Sequence, residues 1–180
     1  SRPSENDAYN ITQENLVVAA LRFDPDVVVV GEIRDAEANS TVEASLTGHT
    51  VVTTVHSGPA ESAHGRISLL CQRRFQLGME VSLSQSRQAF PIVVFAHKCE
   101  DNSRKVMDIT ECEVTPEGKT FYRCLYRYNI TENIYDGNEF IIKGEFEKVN
   151  TPSDYLQTLL TRSGVPQDEL AKFTRKEMVG

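Results

Sequence analysis

Apolar residues recur at helical spacing through Leu16, Val17, Ala20 and Leu21. Thr12 stands where a hydroxyl can cap the first amides of that helix. Asp24-Pro25-Asp26 ends it, because proline lacks a donor and restricts the residue before it. Val27-Val28-Val29-Val30 follows without alternation, which predicts a strand covered on both faces, as a central parallel strand is. A second helix is predicted from about Ala36 to Leu46, closed by Gly48 at a left-handed cap. Thr50 to Val55 is a second β-branched strand, so the segment predicts a right-handed strand–helix–strand unit with parallel strands.

Further helices are expected from about Ala60 to Phe75 and from Val81 to Ala89, leading to a strand over Ile92 to His97. Near Lys98 the pattern changes. Ser103 to Thr115 and Thr120 to Ile130 alternate apolar and polar around Pro116-Glu117-Gly118-Lys119, the mark of a β-hairpin. Phe140-Ile141-Ile142 suggests one more short strand, and a helical pattern begins at Thr151-Pro152-Ser153-Asp154, stops at Gly164 and restarts after Pro166. The opening, Ser1 to Asn10, reads as polar and turn-like. The expectation is an α/β protein in two parts: a parallel-sheet core over residues 1–98, and a β-hairpin with a helical tail over 99–180.

Composition narrows the functional classes. The 180 residues are 39% apolar and 25% charged, ordinary for a globular chain able to bury a core. A net charge of -7, with Lys and Arg scattered apart from small groups such as Arg73-Arg74, argues against direct binding to nucleic acid or an anionic membrane. No stretch approaches the roughly 20 apolar residues of a membrane span. Cys71, Cys99, Cys112 and Cys124 lack the close pairing of a zinc site and read as reduced thiols, with Cys112 and Cys124 as possible neighbours across the hairpin. The chain opens Ser1-Arg2-Pro3 without methionine, which reads as a piece of a longer protein.

The candidate chemistry gathers at strand ends. Glu32 directly follows the valine strand, at the carboxyl edge where nucleotide-binding α/β sheets place their ligands. A carboxylate there either polarises an attacking water, holds Mg²⁺ through its hydration shell, or is an ordinary acid at a strand end. His49 and His56 bracket the next strand, with ends roughly 20 Å apart, too far to share a metal. His56 shares the edge of Glu32 and can donate to a phosphate oxygen, with Thr54 adding a hydroxyl, whereas His49 reads as a structural or subunit-contact residue. Arg22 and Arg34 flank the valine strand, either as solvated charges or as stabilisers of a transferring phosphate. His64, His97, Tyr122, Tyr126 and Tyr128 signal only packing.

The run from Ala20 to Asp35 (ALRFDPDVVVVGEIRD), followed by Leu46 to His56 (LTGHTVVTTVH), resembles the secretion-superfamily ATPases, the hexameric motors of type II and type IV secretion, pilus assembly and conjugation. The resemblance covers the first 70 residues or so closely; Ser103 to Glu111 is similar to the Flp/Tad-pilus branch. It implies the C-terminal part of a RecA-like P-loop NTPase domain that uses ATP and Mg²⁺. Glu32 then matches the Walker B carboxylate that orients or activates water, His49 and His56 match the two histidines of the family's His box, and Arg22 and Arg34 match family arginines. It further implies a cytoplasmic homo-hexamer on an inner-membrane platform protein, moving protein or pilin. The alternatives are a non-catalytic docking module and a DNA-transfer motor.

Two departures accompany the resemblance. No GxxxxGK[ST] loop is present: Gly118-Lys119-Thr120 sits in the predicted hairpin turn without the earlier glycine or a following helix. The chain alone is therefore expected to be inactive. The four-cysteine zinc element of the type II secretion branch also has no counterpart here.

Overall fold

A computed structural model describes residues 10–73, 77–115, 117–135 and 137–174. Residues 1–9 of the predicted polar lead, Arg74, Phe75 at the predicted end of the third helix, and Pro116 of the turn lie outside the described residues. The chain divides into two compact units, one of residues up to 57 with 62–90, the other of 58–61 with 91 onward.

In the first unit, α1 (Gln13–Leu21) begins at Thr12, whose side chain accepts from the Asn15 amide while Asn15 reaches back to the Thr12 amide. Strand β1 (Val27–Val30), helix α2 (Glu37–Leu46) and strand β2 (Thr50–Thr53) follow, and β1 and β2 pair in parallel with Val27 opposite Thr50 and Val30 opposite Thr53. Helix α2 ends on Gly48 at φ 106°, a left-handed position that glycine adopts without steric cost. Val17 and Leu21 of α1 pack on Val28 and Val30. The opposite face of the strand is open: Val27 is 48% and Val29 72% exposed. This corrects the expectation of a strand covered on both faces. The uniform valines encode a strand suited to burial on either side, but among the described residues only one side is covered, and the sheet has two strands.

Helices α3 (Ala60–Cys71) and α4 (Met79–Ala89) complete the unit. Its larger core joins Ile33, Ala38, Val42, Ile67, Leu70, Cys71 and Ala89. His64 is fully buried here, with Nε2 2.9 Å from the Phe90 carbonyl. Burial, opposed by that carbonyl and aided by the charge of Arg87, lowers its pKa. A buried neutral histidine must charge on unfolding in acid, so its contribution to stability is present above the unfolded value near 6.5 and falls as pH drops below it. Thermal melts of the chain between pH 7.5 and 5 are expected to show that loss, up to about 1.4 kcal/mol per pH unit, and His64→Asn is expected to flatten it. An unchanged pH profile in the variant would exclude His64 as the source.

The second unit is a four-stranded antiparallel sheet in the order β3-β4-β5-β6, from β3 (Ile92–Lys98), β4 (Arg104–Val114), β5 (Thr120–Tyr135) and β6 (Phe140–Lys148). The predicted hairpin is β4–β5. Strand β3, grouped by the sequence with the parallel core, pairs with β4, and the short strand expected at Phe140 extends to Lys148. Gly144 lets the β6 backbone approach its partner, since a Cβ there would lie 2.3 Å from the Asn129 carbonyl. Cys112 faces Tyr122 and Cys124 faces Thr110, so the two thiols are not cross-strand partners, and none of the four cysteines is in a disulfide. Gly118-Lys119-Thr120 forms the β4–β5 turn, where the Gly118 amide donates to the Thr115 carbonyl at 2.9 Å and a strand, not a helix, follows.

Helices α5 (Asp154–Arg162) and α6 (Gln167–Thr174) close the chain. Ser153 caps α5 by accepting from the Leu156 amide at 3.1 Å. Its own amide donates to Glu111 Oε2 at 2.9 Å and its hydroxyl donates to Glu111 Oε1. Glu111 is 1% exposed, and those two donors offset the cost of burying its carboxyl group.

Candidate functional site

The segment leaving β1 is pinned atom by atom. The Ile33 amide donates to the Thr54 carbonyl at 2.9 Å, and the Thr54 hydroxyl donates to the Gly31 carbonyl at 2.6 Å. Gln13 Nε2, at the start of α1, donates to the Glu32 carbonyl at 3.0 Å. The amides of Arg34 and Asp35 both donate to Glu37 Oε1, at 2.5 and 2.9 Å. From the turn after α3, Arg73 Nη1 reaches Asp35 Oδ1 at 3.2 Å. A post-strand loop held at this many backbone groups fixes the direction of the side chain it carries.

That side chain is Glu32. Oε2 takes a hydrogen bond from Arg34 Nη2 at 2.5 Å. Oε1 lies 3.2 Å from His56 Nε2, within ion-pair distance but without the angle of a hydrogen bond, and is shielded from solvent with no donor. The arginine hydrogen bond is the chief cause that holds the Glu32 carboxyl below its usual pKa, with the charges of Arg34 and His56 adding to it. Glu32 is thus ionised at neutral pH, with Oε2 engaged by Arg34 and Oε1 covered beside His56 without a hydrogen bond. The imidazole of His56 is 90% exposed and Arg34 72%, so both border solvent.

Of the residues singled out from the sequence, the structure brings Glu32, Arg34, His56 and Thr54 to one edge of the parallel sheet. Thr54 has given its only hydroxyl proton to Gly31 and so acts on the backbone here. His49 sits at the other end of β2, with Nδ1 3.3 Å from the Ala44 carbonyl at the end of α2. Arg22 follows the last turn of α1, exposed and without an ion pair among the described residues. Sequence reasoning did not single out Glu37, Gln13 or the role of Arg73. Glu37 carried a faint signal, an acid in the first turn of a helix without a hydroxyl cap.

Comparison with known proteins bears on this edge. Residues 4–139 match the profile of the family described as type II/IV secretion system protein. The chain is 44% identical over 63 residues to the competence protein ComGA of Streptococcus pneumoniae, a stretch covering 34% of this chain and 20% of the relative. It is 58% identical over 50 residues to the putative type II secretion system protein E of Escherichia coli, covering 27% of this chain and 10% of the relative. The chain thus spans a minor part of the length of these relatives. The VirB11 ATPase of the Brucella suis type IV secretion system superposes with a TM-score of 0.53 at 22% identity, over 56% of this chain and 32% of the other, a likeness of fold.

Proposed function

Because the chain belongs to the type II/IV secretion system protein family, we propose that it is the hydrolytic edge of a ring-forming motor that splits ATP to drive protein or pilin transport at the bacterial inner membrane. The observation that supports this most is Glu32 Oε1, which has no hydrogen-bond donor and lies 3.2 Å from Nε2 of an exposed histidine. An ionised carboxylate whose second oxygen lacks a donor accepts from a water molecule and aims it once the exposed His56 ring turns aside. Its low basicity suits it to orienting water more than to removing a proton outright. His56 donates to a phosphate oxygen, and Arg34 and Arg22 supply exposed positive charge to the transferring group, within one subunit or across to a neighbour. Thr54 shapes the loop through Gly31, and His49 serves structure or a subunit contact.

The donor set fits Mg²⁺ only at one remove. Among the described residues no group of three or more His, Cys, Asp and Glu can hold a metal. Magnesium commonly keeps several waters and is held by a carboxylate or two plus phosphates, and Glu32 can meet that hydration shell. Bound so, the ion would neutralise charge on the phosphates.

We assign the chain to a homo-hexamer on a membrane platform, in the Flp/Tad-pilus branch on the run Ser103 to Glu111. Among the described residues no helix is long and apolar enough to cross a membrane. A DNA-transfer motor is the second reading, favoured by the 44% identical stretch in a competence protein. The test is the coding sequence upstream of Ser1. A GxxxxGK[ST] loop after a strand is expected; a reading frame without it would replace the motor by a docking module.

A further inference from the structure

Resting on that reading of Glu32, we propose that Glu37 is the positioning residue of the site, holding Glu32 in its productive geometry through Arg34. Glu37 is buried, at 7% exposure, at the first turn of α2. A single oxygen, Oε1, receives the amides of both Arg34 and Asp35. Burying a carboxylate is costly without such donors, so the two amides and the acid fix one another. The consequence falls on Arg34. Its backbone is held from one side by Glu37, and its guanidinium holds Glu32 Oε2. The arginine side chain is itself 72% exposed, so little packing chooses a direction for it. What keeps it on Oε2, and so leaves Oε1 without a donor, is the backbone position that Glu37 imposes. Arg73 and Gln13 steady the same loop, from the turn after α3 and from the start of α1, but each reaches it from an exposed position with one or two longer bonds.

Displacement of a reacting group by about 1 Å costs on the order of 100-fold, so the site is expected to be sensitive to Glu37 although it touches no substrate. The experiment uses the full-length protein with Glu37→Ala, Glu37→Gln, Glu32→Gln and the double variant Glu32→Gln/Glu37→Ala. Steady-state and single-turnover ATP hydrolysis are read beside thermal melts. Glu37→Ala is expected to lower kcat roughly 10- to 100-fold with KM for ATP little changed. Glu37→Gln, whose amide oxygen still accepts both N–H groups, is expected to restore most of it. In the Glu32→Gln background Glu37→Ala is expected to cost little more, because the two act as one unit. An equal loss in both backgrounds, or a glutamine variant as poor as alanine, overturns the inference and makes Glu37 a stability residue only. If Glu32→Gln is impaired and Glu37→Ala is normal, this inference alone falls. Normal turnover in Glu32→Gln removes the reading of Glu32 itself, and this inference with it.

Discussion

Glu32→Gln in the full-length protein is expected to cut ATP turnover by roughly 10²–10⁴-fold, the span typical for losing a residue that aims or activates the nucleophile. ATP affinity is expected to survive, because the substitution keeps size and shape and leaves His56 and both arginines in place. Glutamine also keeps an acceptor for Arg34, so the loop need not move. What changes is the position of Oε1, which loses its negative charge and, with the amide oxygen kept on Arg34, becomes an NH2 group that donates and cannot accept. A drop in kcat without a rise in KM therefore separates this role from binding, and near-normal turnover would remove Glu32 from the chemistry.

The largest effect on stability is expected at Glu111. Its carboxylate is buried in the four-stranded sheet and its partners are the amide and hydroxyl of Ser153. Glu111→Ala leaves those buried donors without an acceptor and opens a void, at about 3 kcal/mol. Urea denaturation is expected to show a lower midpoint with little change in slope, and α5, capped by Ser153, is expected to lose protection first. Ser153→Ala should cost less, and the double variant less than the sum, since both remove one interaction. Additive losses would mean that the pair does not act as a unit.

How much of this was legible depended on the range of the interaction. Thr12, the valine strand, the stop at Gly48 and the turn at Gly118 are local signals, each set by residues within one turn or strand, and each appears where the pattern put it. The parallel pairing of β1 with β2 followed from strand, helix and strand in sequence. Strand β3 was placed with the parallel core because an apolar run does not name its neighbour; its pairing with β4 is a tertiary choice. Strand β6 was seen only at Phe140-Ile141-Ile142, since its continuation through Lys143, Gly144, Glu145 and Glu147 is polar, as an edge strand tends to be.

The site divides in the same way. Glu32, Arg34 and His56 were found from position and motif, and the structure sets them side by side. Gln13 lies 19 residues from the carbonyl it holds and Glu111 lies 42 from Ser153, separations at which no periodicity or spacing carries a signal. Glu37 was closer, but an acid in a first helical turn usually faces solvent, and only the fold turns this one inward.

As proposed, this chain holds the water-orienting edge of an ATPase whose phosphate loop lies elsewhere in the protein. Mg-ATP hydrolysis, measured side by side for the full-length protein and the purified 180-residue chain, tests it most directly. Mg²⁺-dependent turnover is expected from the first and none from the second. Turnover by the isolated chain, or its absence from a folded, assembled full-length protein, would contradict it.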